Sequence, residues 1–205
     1  MICIVDYKIG NTRSIQNMIN RAGFDAIISN RYDDIKSADR LILPGVGHFE
    51  KAMEMLDQYD LIQLLNEVVL IDKKPILGIC LGMQLMTQHS EEGNCKGLGW
   101  IDASTIKFNP EVSSDIKVPH MGWNTVEFVK SNNLLEDMPE PSRFYFVHSY
   151  YVNCSHQADV FSYTHHGIKF VSAFRKNNII GVQFHPEKSH KYGLSFLRNF
   201  CAYGS

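Results

Sequence analysis

The stretch Pro75-Ile-Leu-Gly-Ile-Cys-Leu-Gly-Met-Gln84 constrains this chain more than any other. Residues 75–79 are apolar and bounded by a proline, as a short buried strand would be. The run breaks at Gly78-Ile-Cys80-Leu-Gly82, and a helix-forming segment, 83–88, follows. Gly-x-Cys-x-Gly between a strand and a helix is the thiol counterpart of a nucleophile elbow. The glycines permit the tight turn and keep neighbouring atoms away from the sulfur. A sulfur placed there sits over a helix N-terminus, where the dipole and free N–H groups favour thiolate over thiol. On this stretch alone, a buried structural cysteine with incidental glycines explains the pattern equally well.

A second stretch separates the two. Gly181-Val-Gln-Phe-His185-Pro-Glu187-Lys-Ser189 follows another apolar run near the C-terminus. A thiol nucleophile needs a base for its proton, and the base needs an orienting carboxylate. In extended chain, residues i and i+2 point the same way, so His185 and Glu187 are expected to face one site. Pro186 between them restricts that presentation. Cys80 early with His185 and Glu187 late is a triad layout.

The chain in between predicts an α/β architecture with a mostly parallel sheet. Apolar runs at 2–6, 25–29, 40–44 and 75–79 predict strands, the first a continuous run as for a central parallel strand. Asn11 is placed to cap a helix carrying Ile15, Met18, Ile19 and Ala22 at helical spacing, with Gly23 ending it. Residues 61–70 show the spacing of an amphipathic helix. The first half thus reads as a doubly wound pattern, with the nucleophile at a strand C-terminus in the ligand crevice. From Gly93 onward, strand-like runs at 125–129, 143–147, 160–164, 168–174 and 179–184 predict a mixed or antiparallel extension of the sheet. Leu194, Leu197, Phe200 and Cys201 mark a closing helix starting near Ser189. At 205 residues without linker, repeat or low-complexity segment, one domain over 1–205 is expected.

The net charge of −2 gives no basis for a nucleic-acid-binding surface. Five cysteines, at 3, 80, 95, 154 and 201, form no C-x-x-C pair and suggest reduced intracellular thiols. Met1 runs directly into a strand pattern, so no signal peptide is expected, and no apolar run approaches the ~18 residues of a membrane span. A cytoplasmic location and no membrane association are therefore expected. Nine histidines form no persuasive ligand set, and neither a P-loop nor a dinucleotide fingerprint is present in context. No metal or other cofactor is expected.

Gly-Ile-Cys80-Leu-Gly-Met-Gln84 with Gln-Phe-His185-Pro-Glu187 resembles the class I (triad) glutamine amidotransferases. Further agreement comes from Asp6-Tyr7 with Gly10-Asn11, Leu43-Pro-Gly-Val-Gly47, His120-Met-Gly-Trp-Asn124 and Phe146-Val-His-Ser-Tyr-Tyr151, across essentially the whole chain. These point to the branch of glutaminase subunits that feed a (β/α)8 cyclase in histidine biosynthesis. The resemblance implies the flavodoxin-like amidotransferase fold and a Cys80–His185–Glu187 triad hydrolysing L-glutamine. It implies an oxyanion hole from the backbone of Val46, Gly47 and Leu81. Glutamine would be held by Gly47, Gln84, His148, Ser149 and Tyr150. Trp123, Asn124 and Lys188 would lie at the partner interface and ammonia exit, in a heterodimer with the cyclase. Taken alone, several of these residues also fit blander roles: Gln84 as a solvent-facing helix residue, His148 to Tyr150 as a strand edge, Trp123 as a packed aromatic.

Lys8 stands where the family usually has glycine, Thr12 replaces a commoner apolar residue, and Ser189-His-Lys-Tyr-Gly193 departs from the usual Ser-Gln form. Such changes keep open a paralogue supplying ammonia for amidino-sugar synthesis in surface polysaccharides. Two readings of other classes are a thiol hydrolase or peptidase, and a non-catalytic binding subunit. Leu81 directly after the cysteine, where peptidase relatives often have histidine, and the complete triad set argue against them.

Overall fold

The computed structural model describes residues 1–112, 115–129 and 133–202; the others of the expected 1–205 domain lie outside the described residues. The first half is β1 (Ile2–Val5), α1 (Thr12–Arg21), β2 (Ala26–Ser29), α2 (Tyr32–Ser37) and β3 (Arg40–Leu43). It continues through α3 (Phe49–Gln58), α4 (Leu61–Asn66, running into a π-turn at Glu67–Ile71), β4 (Ile76–Ile79) and α5 (Leu81–Leu85). The second half holds β5 (His89–Ser90), β6 (Cys95–Lys96), β7 (Ala103–Lys107), β8 (His120–Thr125), β9 (Glu127–Phe128), β10 (Arg143–His148) and β11 (Tyr150–Cys154). It closes with β12 (Val160–His166), β13 (Ile168–Lys176), β14 (Ile179–Val182) and α6 (His190–Ala202).

The main sheet runs β2-β1-β3-β4-β14-β13-β11-β7-β5-β6, with β12 and β9 branching from β13. Its β2-β1-β3-β4-β14 part is parallel, and β14–β13–β11–β7 is antiparallel. Because both faces of the parallel part are covered, alternate residues of one strand enter different cores. Cys3 and Val5 pack with Phe49, Leu56 and Leu61 of α3 and α4, whereas Ile2 and Ile4 pack with Ile15, Ile19, Phe196 and Phe200 of α1 and α6. This explains why β1 is apolar throughout instead of alternating.

Several expectations change. The run 179–184 does not belong to the antiparallel extension: β14 sits beside β4, parallel, in register Val182↔Ile79. The helix after Cys80 spans Leu81–Leu85 rather than 83–88. The Thr87 hydroxyl donates to the Gln84 carbonyl at 2.8 Å and closes it early. Asn11 stands at the N-cap of α1 without a side-chain capping bond, its backbone at φ −91°, ψ 59°. Helices α2 and α3 had no counterpart in the sequence reading. Nor does the run 143–147 extend the main sheet: as β10 it pairs with β8 in a separate two-stranded ribbon, His120 opposite His148 and Trp123 opposite Tyr145.

Candidate active site

Cys80 takes φ 54° and ψ −111°, a conformation that costs a non-glycine residue of order 1–3 kcal/mol and holds the sulfur at the turn. Close packing around it requires glycine. A Cβ at Gly82 would lie 1.9 Å from the Leu43 carbonyl oxygen, and one at Gly78 would lie 2.7 Å from the Gly82 oxygen. The glycines thus bring the start of α5 against the end of β3, beside Pro44-Gly-Val-Gly47. The Tyr7 hydroxyl donates to the Pro44 carbonyl and fixes that loop from below. With α5 only five residues long, its dipole is that of little more than one turn.

The adjacent β14 delivers the base. The Cys80 N–H donates to the Val182 carbonyl at 2.8 Å, and the chain then passes through Gln183 to His185. The His185 N–H is anchored on the Tyr145 carbonyl at 2.9 Å, and its Nδ1 meets Glu187 Oε1 at 2.8 Å. The two side chains meet across a 3-10 turn, Pro186–Lys188, and not along the extended segment expected from the sequence. Proline at the first position of that turn has no N–H to leave unpaired. Both side chains are 1% exposed. Burial alone lowers the His185 pKa, but the Cys80 sulfur and the Glu187 carboxylate outweigh it and raise it to about 10. His185 Nε2 and Glu187 Oε2 are buried without a hydrogen-bond partner among the described residues. The imidazole is therefore poised to hold a proton between the carboxylate and the sulfur.

A cavity of about 470 Å³ opens over these groups. Cys80, His185, Val46, Gly47, Leu81, Gln84, His148, Ser149, Tyr150 and Lys188 all line it. Every predicted glutamine-contact and oxyanion residue thus converges on one space. A second cleft of about 520 Å³, between Thr125–Val129 and Leu135–Ser142, carries no histidine or thiol. Trp123 and Asn124 lie outside the triad cavity. Trp123 is 39% exposed and stacks on His190 at 5.4 Å, at the outer face of β8. Asn124 is turned inward, its amide nitrogen 3.2 Å from His120 Nε2 and donating to the His165 carbonyl at 2.9 Å.

Sequence reading missed three side chains that support the site, Ser189, His120 and Gln183. Ser189 Oγ donates to the His185 carbonyl at 2.6 Å and accepts the Tyr145 N–H at 3.0 Å, fixing the histidine backbone. His120 Nδ1 and His148 Nε2 lie 2.9 Å apart, and His148 Nδ1 is 2.8 Å from the Tyr150 carbonyl. That carbonyl can only accept, so His148 Nδ1 carries its proton, and His120 must donate to His148 Nε2. Burial, reinforced by neighbouring imidazoles, lowers His148 to about 3 and His120 to about 4, so both are neutral near pH 7. Gln183, fully buried, contacts both Gln84 and the Cys80 sulfur. Its one signal in the sequence is a carboxamide inside the apolar run that ends at His185. Lys8 takes φ 65°, the region where glycine is at home. It is held there by Asp6, which accepts its N–H at 3.1 Å and its Nζ at 2.7 Å. None of the five cysteines is disulfide-bonded. No helix among the described residues is long and apolar enough to cross a membrane.

The sequence pattern of the family described as glutamine amidotransferase class-I matches residues 3–202. The chain is 53% identical over 200 residues to "Imidazole glycerol phosphate synthase subunit HisH 2" of Methanococcus maripaludis, covering 98% of each chain. It is 46% identical over 200 residues to a protein of the same name from Pseudomonas aeruginosa, again covering 98% of each. It is 44% identical over 202 residues to "HisH 1" of Campylobacter jejuni, covering 98% of this chain and 99% of the relative. Among solved structures, PurLQS from Thermotoga maritima superposes with a TM-score of 0.75 at 15% identity, covering 100% of this chain and 98% of that one, a likeness of fold. With its Gly-x-Cys-x-Gly elbow, its buried His–Glu pair and this full-length similarity, the chain belongs to the class I glutamine amidotransferase family.

Proposed function

We propose that this protein is a cytoplasmic glutaminase subunit, a single domain over 1–205, that hydrolyses L-glutamine and passes ammonia to a (β/α)8 cyclase of histidine biosynthesis. The Cys80 thiolate adds to the side-chain carbonyl carbon, and backbone N–H groups of Val46, Gly47 and Leu81 receive the oxyanion. The protonated His185 gives its proton to the departing nitrogen, and ammonia leaves a γ-glutamyl thioester. A water then adds to the thioester, His185 taking its proton, and the C–S electron pair returns to sulfur as glutamate leaves. Glu187 holds the imidazole orientation throughout. Gly47, Gln84, His148, Ser149 and Tyr150 surround the substrate. Both Gln84 amide hydrogens are already donated, to the Tyr150 carbonyl and to Gln183, so its carbonyl oxygen is what it offers a ligand. No metal or cofactor enters these steps.

The observation that carries this reading is the meeting of Cys80 and His185 at one cavity, from two strands far apart in sequence, with Glu187 buried behind the imidazole. The relatives' names supply the pathway. Ammonia released to bulk water becomes non-nucleophilic ammonium, so a sealed exit to the partner is required. The face bearing Trp123 and Lys188, with Asn124 turned in beneath it, is where the cyclase would dock. The test is glutamine turnover with and without the host's cyclase and its nucleotide ligand. Strong activation by that pair supports the assignment, and absence of Cys80-dependent hydrolysis under every condition refutes it.

A second reading keeps the glutaminase and changes the acceptor to an amidino-sugar precursor. Two observations favour it. Several relatives carry a numeral, HisH 2 or HisH 1. The departing stretch 189–193 also places His190 against Trp123, on the proposed partner face. Activation by a different cyclase-like partner, with none by the histidine-pathway cyclase, would select it.

A further inference from the structure

We propose that Gln183 is a fourth catalytic side chain, a neutral donor to the Cys80 sulfur whose orientation is fixed by Gln84. The inference rests on the triad reading above. Gln183 is fully buried and Gln84 nearly so. The side-chain nitrogen of Gln84 lies 3.0 Å from the Tyr150 carbonyl and 3.0 Å from one end of the Gln183 amide. A backbone carbonyl can only accept, which makes the Gln84 atom the NH2 group. The Gln183 end facing it must then be the oxygen. The other end of Gln183, 3.6 Å from Cys80 Sγ, is therefore its NH2 group. The order of donors and acceptors is thus set from a peptide group outward to the nucleophile, with no freedom to invert an amide. The Gln183 backbone is held as well, its N–H donating to the Ser172 carbonyl at 2.8 Å.

A buried N–H aimed at sulfur favours the charged form of the thiol. Sulfur must act as thiolate when it attacks the carbonyl carbon and again when the C–S bond breaks, and it is neutral in the thioester. Gln183 therefore stabilises the nucleophile before attack and the leaving thiolate during hydrolysis of the thioester. His185 and Tyr7 are the titratable groups that interact with Cys80, and Lys188 lines the same cavity. None of them is changed by substitution at 183.

The test is iodoacetamide alkylation of Cys80 in the full chain from pH 5 to 10, located by peptide mass spectrometry because four other thiols are free. Gln183→Met keeps the length and removes the donor, and Gln183→Glu keeps the shape and places oxygen against sulfur. Each is expected to slow Cys80 alkylation about tenfold at pH 6, the loss of one hydrogen bond to a charged group, with the difference closing at high pH. Glutamine turnover should fall by a similar factor in kcat with KM within twofold. Alkylation at the wild-type rate across the range in a folded variant overturns the proposal. A readout independent of folding variants is the Gln183 side-chain amide in the unsubstituted protein, followed by NMR. Its proton should shift with the pH midpoint of Cys80 alkylation, and a flat response overturns the proposal. Neither the alkylation nor the NMR readout needs glutamine, so a chain that fails to hydrolyse glutamine refutes the functional reading without deciding this one.

Discussion

Replacing Glu187 by glutamine isolates the orienting role of the carboxylate, because it keeps the shape and removes only the charge. The pair it disrupts is 2.8 Å long and almost wholly buried, so solvent does not screen it. Losing a hydrogen bond between charged groups costs about 1.5–3 kcal/mol, which in a transition state is about 10- to 100-fold in rate. A larger loss follows if the new amide donates to Nδ1, for Nε2 then keeps the hydrogen and cannot take one from sulfur. In serine triads that tautomer error costs ~10⁴ in kcat. The expected fall in kcat for Glu187→Gln is therefore between about tenfold and ~10⁴-fold, measured as glutamate release with saturating cyclase. KM should hold within about threefold, since Glu187 does not line the cavity.

The stability signature of the same variant runs through His185. Folded, its imidazole keeps a proton to about pH 10, against 6.5 for the free side chain. Its contribution to stability is full below pH 6.5 and is lost as pH rises toward 10. In Glu187→Gln that alkaline decline should end at lower pH and be smaller in total in urea-midpoint measurements. A kcat within threefold of wild type would refute the orienting role, as would a loss carried mainly by KM.

Gly82→Ala drives a Cβ against the Leu43 carbonyl oxygen, backbone that cannot yield without moving β3. About 3 kcal/mol or more of unfolding free energy should be lost in urea, and an unchanged midpoint would contradict the close approach. His120 and His148 have folded pKa values below 6.5, so their contribution is present above pH 6.5 and is lost as pH falls toward 4 and then 3. The acid decline of stability should be shallower by about one proton in His120→Asn, and an identical slope would show that His120 is not held neutral. Trp123→Ala should leave the stability of the isolated chain within about 1 kcal/mol, because the ring is half exposed, yet weaken cyclase binding by about 2 kcal/mol or more in calorimetry. Undiminished binding would remove Trp123 from the interface.

The sequence alone determined the parallel half of the fold and the identity of the triad. Strands β1 and β4 are continuous apolar runs, and β3 is one after Arg40, because both faces of each are covered, and that signal is local. The elbow was equally legible, since Gly78 and Gly82 are needed by backbone contacts a few ångströms away. Helices α2 and α3 escaped because short segments with mixed polarity, such as Tyr32–Ser37, carry little periodicity. Tertiary structure decided what lies next to what. The apolar run before His185 reads the same at the edge or the centre of a sheet, and only long-range pairing put β14 beside β4 and His185 beside Cys80. His185 and Glu187 were predicted to meet along an extended chain, but a proline-initiated turn brings them together, because the anchoring of His185 on Tyr145 and Ser189 overrides the local tendency. Gln183 and the pairing of His120 with His148 could not be recognised in the sequence, because nothing local to any of them names its partner. Their meaning comes from partners 28 to 103 positions away, because a buried donor's role is set by the acceptor that the fold places against it.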